Sequence, residues 1–218
     1  MRPIVCLVTP PTPPAELAAL ADRIGDAARA GLDLIQIRQP QLDARSLGDL
    51  VHRALDAVCG THARVIVNDR LDVALATGAH GVHLREDSVP AMRVRAVAPH
   101  GFLLGRSVHS VSGAVTAASA GGLDYLIFGT VFQTSSKPGQ APVGAAALAE
   151  AVAATPLPVL AIGGVTLACL AEVAGTGASG LAAVGLFATA DMTDTVRHVH
   201  KAWQHADPRS LPAPDPDS

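Results

Sequence analysis

Short apolar runs rich in β-branched residues alternate with alanine-rich amphipathic stretches eight times along this 218-residue chain. The first run covers residues 4–8 and the last covers residues 180–184. Strands that alternate with helices are typical of parallel βαβ units, and continuous apolar runs are typical of strands buried on both faces. Eight such units in a chain of this length predict a closed (β/α)8 barrel, the TIM barrel.

The pattern also sets the expected limits of the elements. We predict strands at residues 4–8, 34–38, 65–68, 81–84, 103–107, 125–128, 159–162 and 180–184. We predict helices at residues 16–30, 44–59, 71–77, 91–98, 112–120, 145–153, 167–175 and 193–204. Residues 1–206 are expected to form a single barrel domain, and the Pro- and Asp-rich residues 207–218 a disordered tail. A doubly wound sheet is the competitor, but the glycine-poor first turn at residues 9–14 argues against a dinucleotide site.

Charge and hydropathy limit the partners of the chain. The net charge of −3 gives no support to a nucleic-acid partner. No apolar run approaches the ~18 residues that a membrane span needs, so no membrane association is expected. The N-terminus lacks a signal-peptide pattern, and we expect a cytoplasmic protein. A homo-oligomer is also compatible with the sequence, because apolar helices on the outside of a barrel can pack against a second copy.

Polar residues concentrate where the predicted strands end. Active sites of such barrels lie at the carboxyl ends of the strands, and charges there are unfavourable unless they face a polar ligand. The polar residues at these ends are Gln36, Arg38, Asn68, Asp69, His83, Ser107 and His109. The sequence therefore predicts a polar-ligand site at this end of the barrel.

Two features of the same strand ends indicate phosphate binding. Gly163 and Gly164 follow the seventh strand and Gly185 follows the eighth, where many barrels bind phosphate through backbone N–H groups. The loop at residues 134–137 offers three hydroxyls and one ammonium group, which suits a diphosphate.

Each feature also has a structural interpretation. A glycine pair can form a tight turn, and a Thr/Ser/Lys loop can be a solvated surface. Arg38 and Asp69 can form an ion pair, and Asn68 with Asp69 can cap the following helix. His83 and His109 can be structural histidines. The functional interpretation depends on all of these features falling at one end of one barrel.

Several motifs carry a resemblance to a known family. They are Gln-Ile-Arg at 36–38, Asn-Asp at 68–69, Gly-Val-His-Leu at 81–84, Gly-Arg-Ser-Val-His-Ser at 105–110, the segment 124–137 and Ala-Ile-Gly-Gly at 161–164. In their order and spacing the chain resembles the thiamine phosphate synthase and TenI-type family from Ile4 to about Trp203. Members of that family are (β/α)8 barrels, in agreement with the strand pattern.

The resemblance implies a reaction and a set of roles. Thiamine phosphate synthases join a pyrimidine diphosphate to a thiazole phosphate and release diphosphate with the help of Mg²⁺. Carried over to this chain, the resemblance implies that Gln36 faces the pyrimidine and that Asp69 binds Mg²⁺. It implies that the diphosphate is held by Arg38, Asn68, Ser107 and Lys137. It also implies that the thiazole phosphate is bound by Thr134, Ser136 and the backbone at Gly164, Val184 and Gly185. Arg38 and Lys137 are the predicted catalytic cations.

Two positions depart from the pattern of the synthases. Pro40 stands where these enzymes usually carry a lysine, and Ser88 stands where they carry a second metal-binding aspartate. Glu86 and Asp87 lie beside that position but need a shift in register to replace it. The resemblance therefore implies Mg²⁺ as the cofactor, but with one metal ligand fewer than in the synthases, because Ser88 replaces an aspartate ligand.

The TenI-type branch offers a second function. This branch contains thiazole tautomerases, isomerases that move a proton on a thiazole phosphate carboxylate. Residues 87–90, 105–110 and 128–132 resemble this branch more closely than the synthases. Its catalytic histidine aligns with Thr130, and threonine is a poor general base at neutral pH. A tautomerase would need His109 or His83 as a substitute. We predict a synthase, with the tautomerase and a non-catalytic binding protein for thiazole phosphate or thiamine phosphate as alternatives.

Overall fold

The computed structural model describes residues 2–134, 139, 141–188 and 191–206. The strands are β1 Ile4–Val8, β2 Leu34–Ile37, β3 Arg64–Asn68, β4 Gly81–Leu84, β5 Leu103–Val108, β6 Tyr125–Gly129, β7 Val159–Ile162 and β8 Gly180–Ala183. The helices are α1 Leu17–Arg29, α2 Ala44–Ala57, α3 Leu71–Thr77, α4 Ala91–Arg95, α5 Val111–Ser119, α6 Gly144–Ala153, α7 Leu170–Gly175 and α8 Met192–Ala206. Short 3-10 helices occupy Pro14–Glu16, Leu167–Cys169 and Gly185–Phe187.

The eight strands pair in parallel and in chain order, and β8 pairs with β1 to close the ring. In this last pairing Ile4 lies opposite Gly180. The closure confirms the (β/α)8 barrel and excludes the doubly wound sheet. We call the face at the carboxyl ends of β1–β8 the strand-end face.

Helix α2 illustrates how the outer layer forms. The side chain of Asp43 caps the helix by accepting a hydrogen bond from the backbone N–H of Ser46 at 2.7 Å. Its buried residues include Leu47, Leu50 and Ala54, at the spacing of one helix face. That face packs against the barrel, so the amphipathic pattern of the sequence becomes the contact between helix and sheet.

The barrel interior holds a second apolar cluster. Its buried members are Cys6, Val8, Leu34, Ile66, Tyr125, Ile127, Leu160 and Ala182. A Cβ atom on Gly105 would lie 2.2 Å from Cζ of Tyr125, so β5 carries glycine where the tyrosine ring fills the barrel. Burial also raises the pKa of the Cys6 thiol to about 12.

The last helix is tied to the segment that closes the barrel. The indole Nε1 of Trp203 on α8 donates to the carbonyl of Ala178 at 2.8 Å. The next carbonyl, that of Ser179, accepts from the N–H of Ile4 at the start of β1. Trp203 therefore anchors α8 beside the seam between β8 and β1.

Two helix limits differ from the sequence-based prediction by three residues, whereas the other helix limits agree within two residues. The stretch predicted as one helix at residues 167–175 begins as the 3-10 helix Leu167–Cys169, where the Cys169 sulfur accepts the N–H of Thr166. Helix α4 ends at Arg95, three residues before the predicted end, ahead of the turn that contains Pro99. Among the helices described, none is both long and apolar enough to span a membrane.

Candidate active site

Gln36 and Asn68 form a polar pair inside the barrel near the strand-end face. Gln36 is only 4 % exposed, and its Nε2 donates to Oδ1 of Asn68 at 2.9 Å. Its carbonyl oxygen Oε1 is buried without a hydrogen-bond partner in the described part of the chain. A buried polar atom left unpaired costs about 1–3 kcal/mol, so this oxygen is suited to accept from a ligand. Helix α3 begins without a side-chain cap, so the helix-cap interpretation of Asn68 and Asp69 is wrong.

His83 connects two strands through a buried hydrogen-bond network. Its Nε2 lies 2.9 Å from Oγ of Ser107, and its Nδ1 lies 3.3 Å from the hydroxyl of Tyr125. Burial, with a smaller contribution from Arg106, lowers the pKa of His83 to about 3. The ring is therefore neutral, with one nitrogen donating and the other accepting. His83 therefore positions the hydroxyl of Ser107 through this hydrogen bond.

Asp69 follows β3 in a left-handed conformation with φ of 59°. Its N–H donates to the carbonyl of His83 at 2.8 Å, which fixes the backbone. One carboxylate oxygen accepts from the hydroxyl of Ser88, and the other lies 2.9 Å from Nε of Arg85. The ion pair considered between Arg38 and Asp69 is thus replaced by one with Arg85.

Arg38 directly follows β2 at the strand-end face. Its backbone N–H donates to Oγ1 of Thr9 at 2.9 Å, so the turn after β1 holds it in place. Its side chain is exposed and makes no ion pair with any residue that the structure describes. Pro40, two residues later, is also exposed and brings no charge.

His109 lies against the end of β6. Its Nδ1 donates to the carbonyl of Gly129, because a carbonyl can only accept. In the neutral ring this leaves Nε2 without a proton and able to act as a base. Thr130, which aligns with the family histidine, directly follows that carbonyl and is buried. The structure thus brings His109 beside the position of the missing histidine.

The ends of β7 and β8 present backbone N–H groups. Gly164 has φ of 64°, and a Cβ there would lie 2.4 Å from the carbonyl oxygen of Gln133, so the turn requires glycine. A Cβ on Gly185 would meet nothing within 4 Å, so this residue borders open space beside the exposed Val184. Within the described residues the N–H groups of Gly164 and Gly185 donate to no acceptor. Such groups can bind a phosphate.

The loop after β6 carries the remaining predicted contacts. Thr134 is half-buried in the structure. Ser136 and Lys137 lie outside the described residues. The predicted roles of all three in binding phosphate groups therefore stay predictions.

Two side chains of the site were not predicted from the sequence. Arg85 was not singled out although it directly follows β4, and a charge at a strand tip was the signal available. Tyr125 was expected as a strand residue in the family-like segment 124–137 with no role at the site, yet its hydroxyl lies in the network of His83.

The opposite end of the barrel is built differently. A depression of about 580 Å³ there is lined by residues that include Arg95, Phe102 and Asp124. The guanidinium of Arg95 donates to the carbonyls of Phe102 and Gly122 and pairs with Asp124 at 2.7 Å. These bonds tie α4 to the starts of β5 and β6, which is a structural role.

Comparisons with known proteins agree with this geometry. The family model of thiamine monophosphate synthase matches residues 5–187. A thiamine-phosphate synthase of Methanoculleus marisnigri is 45% identical over 159 residues, which cover 72% of this chain and 75% of that protein. One from Parasynechococcus marenigrum is 39% identical over 189 residues, 86% of this chain but only 52% of that longer protein. The solved structure of thiamine phosphate pyrophosphorylase from Pyrococcus furiosus superposes with a TM-score of 0.79 at 27% identity, covering 93% of this chain and 96% of that one. The chain belongs to the thiamine monophosphate synthase family.

Proposed function

We propose that this chain is a transferase that joins hydroxymethylpyrimidine diphosphate to thiazole phosphate and yields thiamine phosphate and diphosphate. The observation that carries the proposal is the buried amide oxygen of Gln36, which has no hydrogen-bond partner among the residues that the structure describes. It lies on the same face as the N–H groups of Gly164 and Gly185, which suit the thiazole phosphate. One face thus offers separate places for the two substrates that the family resemblance implies.

The residue types fit the chemistry of such a transfer. The C–O bond between the pyrimidine methylene and the diphosphate breaks, and its electron pair leaves with the diphosphate. The thiazole nitrogen then donates its lone pair to form the new C–N bond. The developing charge on the leaving group needs positive partners, a role that we assign to Arg38 and Lys137, with Ser107 as a hydroxyl donor. Little general acid–base catalysis is required.

Magnesium is the cofactor that the family resemblance implies, with Asp69 as its ligand. The donors present do not fit a metal site, because the carboxylate of Asp69 already contacts the hydroxyl of Ser88 and the guanidinium of Arg85. Asp87 is largely exposed and lies 3.4 Å from the same guanidinium. The described residues include no group of three or more His, Cys, Asp or Glu side chains that could hold a metal ion. No step of the proposed reaction is assigned to the metal.

The proposal is tested by mixing the purified chain with both substrates and measuring thiamine phosphate by chromatography. Gln36→Met keeps the length of the side chain but removes its amide. We expect kcat/KM for the pyrimidine diphosphate to fall about fivefold or more, since a lost contact to a buried polar group costs ~1–3 kcal/mol. The KM for thiazole phosphate should stay close to that of the wild type.

A matched control is available on α8. Thr195 is also buried, and its hydroxyl also has no partner in the described residues, but it lies outside the barrel. Thr195→Val should leave the kinetics unchanged. If the wild type forms no thiamine phosphate, or if Gln36→Met has wild-type kinetics, the proposed role of this face is wrong.

A second candidate function follows from His109. Its Nδ1 contacts the carbonyl of Gly129, directly before Thr130, so Nε2 is the ring nitrogen left for a proton transfer on the thiazole phosphate carboxylate, as in the TenI-type branch. The test is conversion of the non-aromatic thiazole substrate by the wild type and its loss in His109→Ala. A fully active His109→Ala would exclude this residue as the base. Substrate binding without either reaction would leave the binding protein as the function.

Further expectations stay proposals. We propose that residues 1–206 act as one domain in the cytoplasm, with small phosphorylated substrates as the partners and a homo-oligomer as an option. The predicted tail at residues 207–218 lies outside the described residues.

A further inference from the structure

Asp69 is the predicted metal ligand, but its carboxylate forms an ion pair with Arg85 instead. Nε of Arg85 lies 2.9 Å from one of its carboxylate oxygens and 3.4 Å from a carboxylate oxygen of Asp87. The guanidinium thus sits between two carboxylates, where a metal ion would otherwise be expected.

Ser88 helps to place this guanidinium. Its hydroxyl donates to Asp69 and accepts the backbone N–H of Arg85 at 3.1 Å. The N–H of Ser88 donates back to the carbonyl of Arg85, which closes a turn after β4. An aspartate at position 88 would bring a second negative charge against Asp69. Ser88 and Arg85 therefore act together.

The loop that carries Arg85 is also held from β5. The guanidinium of Arg106 donates to the carbonyls of Glu86 at 2.9 Å and Val89 at 2.5 Å. Arg106 is thereby engaged in holding the backbone of the loop, whereas Arg85 remains exposed at the strand-end face. Within the described residues, Arg85 approaches Asp69 and Asp87 through Nε, and its side chain is 61 % exposed.

We infer that Arg85 supplies, from within the chain, the positive charge that a divalent cation would bring to Asp69, and that the strand-end face binds the diphosphate group without a metal. The terminal amino groups of a guanidinium can hold two oxygens of a phosphate group at once. Its Nε meanwhile stays paired with Asp69. The inference rests on the proposed function in one respect, namely that the bound diphosphate is that of hydroxymethylpyrimidine diphosphate.

The test measures binding of inorganic pyrophosphate to the full chain by titration calorimetry. It is done once in metal-free buffer with EDTA and once with Mg²⁺. We expect the wild type to bind with EDTA present, and Arg85→Gln to bind at least about tenfold more weakly under the same conditions. The matched control is Arg29→Gln on α1, which removes the same charge from an arginine that is similarly exposed and also ion-paired, with Asp26. This control should bind like the wild type.

A double variant tests the same idea in the opposite direction. Arg85→Ala combined with Ser88→Asp removes the guanidinium and places a second carboxylate beside Asp69. We expect its pyrophosphate binding to require Mg²⁺, unlike that of the wild type. Both substituted side chains are at least partly exposed, and a thermal melt confirms that the variants are folded.

The outcomes separate this inference from the proposed function. Wild-type binding that disappears in EDTA and returns with Mg²⁺ would overturn the inference, and so would unchanged binding by Arg85→Gln or no binding by the wild type under either condition. Thiamine phosphate formation that requires Mg²⁺ would support the proposed transferase and overturn the inference about Arg85. Binding that resists EDTA without any synthesis would support Arg85 and refute the transferase.

Discussion

Replacing His83 with glutamine is expected to make the chain less sensitive to acid. His83 is 1 % exposed, and burial lowers its folded-state pKa from 6.5 to about 3. As the pH falls below 6.5, the unfolded chain takes up a proton at this residue while the folded chain does not. The folded state therefore loses stability between pH 6.5 and about 3.

The size of the effect follows from the two pKa values. Each pH unit in this window costs about 1.4 kcal/mol, so lowering the pH from about 7.5 to about 5 costs ~2 kcal/mol through His83 alone. Glutamine does not titrate, and its amide nitrogen can take the place of Nε2 toward Ser107. The pH-dependent loss of unfolding free energy should therefore be smaller by ~2 kcal/mol in His83→Gln.

The measurement is urea unfolding at the two pH values, for the wild type and for the variant. Comparing the differences removes the contributions of carboxylates and of other histidines, which titrate in both proteins. His100→Gln is the matched control, because it replaces an exposed histidine. If His83→Gln and the wild type lose the same stability on acidification, the ring is protonated in the folded chain and the argument for its neutral state is wrong.

Three more predictions concern the barrel and its helices. Gly105→Ala should lower the melting temperature by several degrees, since its Cβ would meet the ring of Tyr125 at 2.2 Å and overpacking costs ~1–3 kcal/mol. The control Gly175→Ala should leave the melting temperature unchanged, because a Cβ there would meet nothing within 4 Å. Equal melting temperatures of the two variants would contradict this prediction. Asp43→Ala should lower the free energy of unfolding measured in urea at neutral pH through loss of the α2 cap, and no change would mean that the cap does not form in solution. Hydrogen bonds from Ser46 lower the pKa of Asp43, so this contribution should disappear as the carboxyl becomes protonated in acid.

The order of the barrel could be predicted because it depends on patterns that repeat along the chain. Strands buried on both faces leave continuous apolar runs, and the limits of Ile4–Val8, Gly81–Leu84 and Val159–Ile162 agree with those runs to the residue. The strand-end position of Gln36 and Asn68 followed from the same pattern, because the end of a strand can be located along the chain without knowledge of its contacts.

The contacts among side chains could not be predicted in the same way. The partner of Asp69 depends on the left-handed turn at that residue and on the direction of the loop after β4, which no periodicity reports. The burial of His83 depends on a tyrosine that lies 42 positions later in the chain and on the absence of a side chain at Gly105. Ion pairs and polar networks of this kind arise from tertiary geometry.

The indole of Trp203 has a practical consequence for experiments on this chain. It is the only tryptophan, and it lies beside the seam where the first and last strands meet. The only tyrosine, Tyr125, lies inside the barrel below the polar face. The chain therefore has two natural optical probes in different places. Tryptophan emission reports whether the ring of strands is closed, and tyrosine absorbance reports the polarity of the barrel interior beneath the strand-end face.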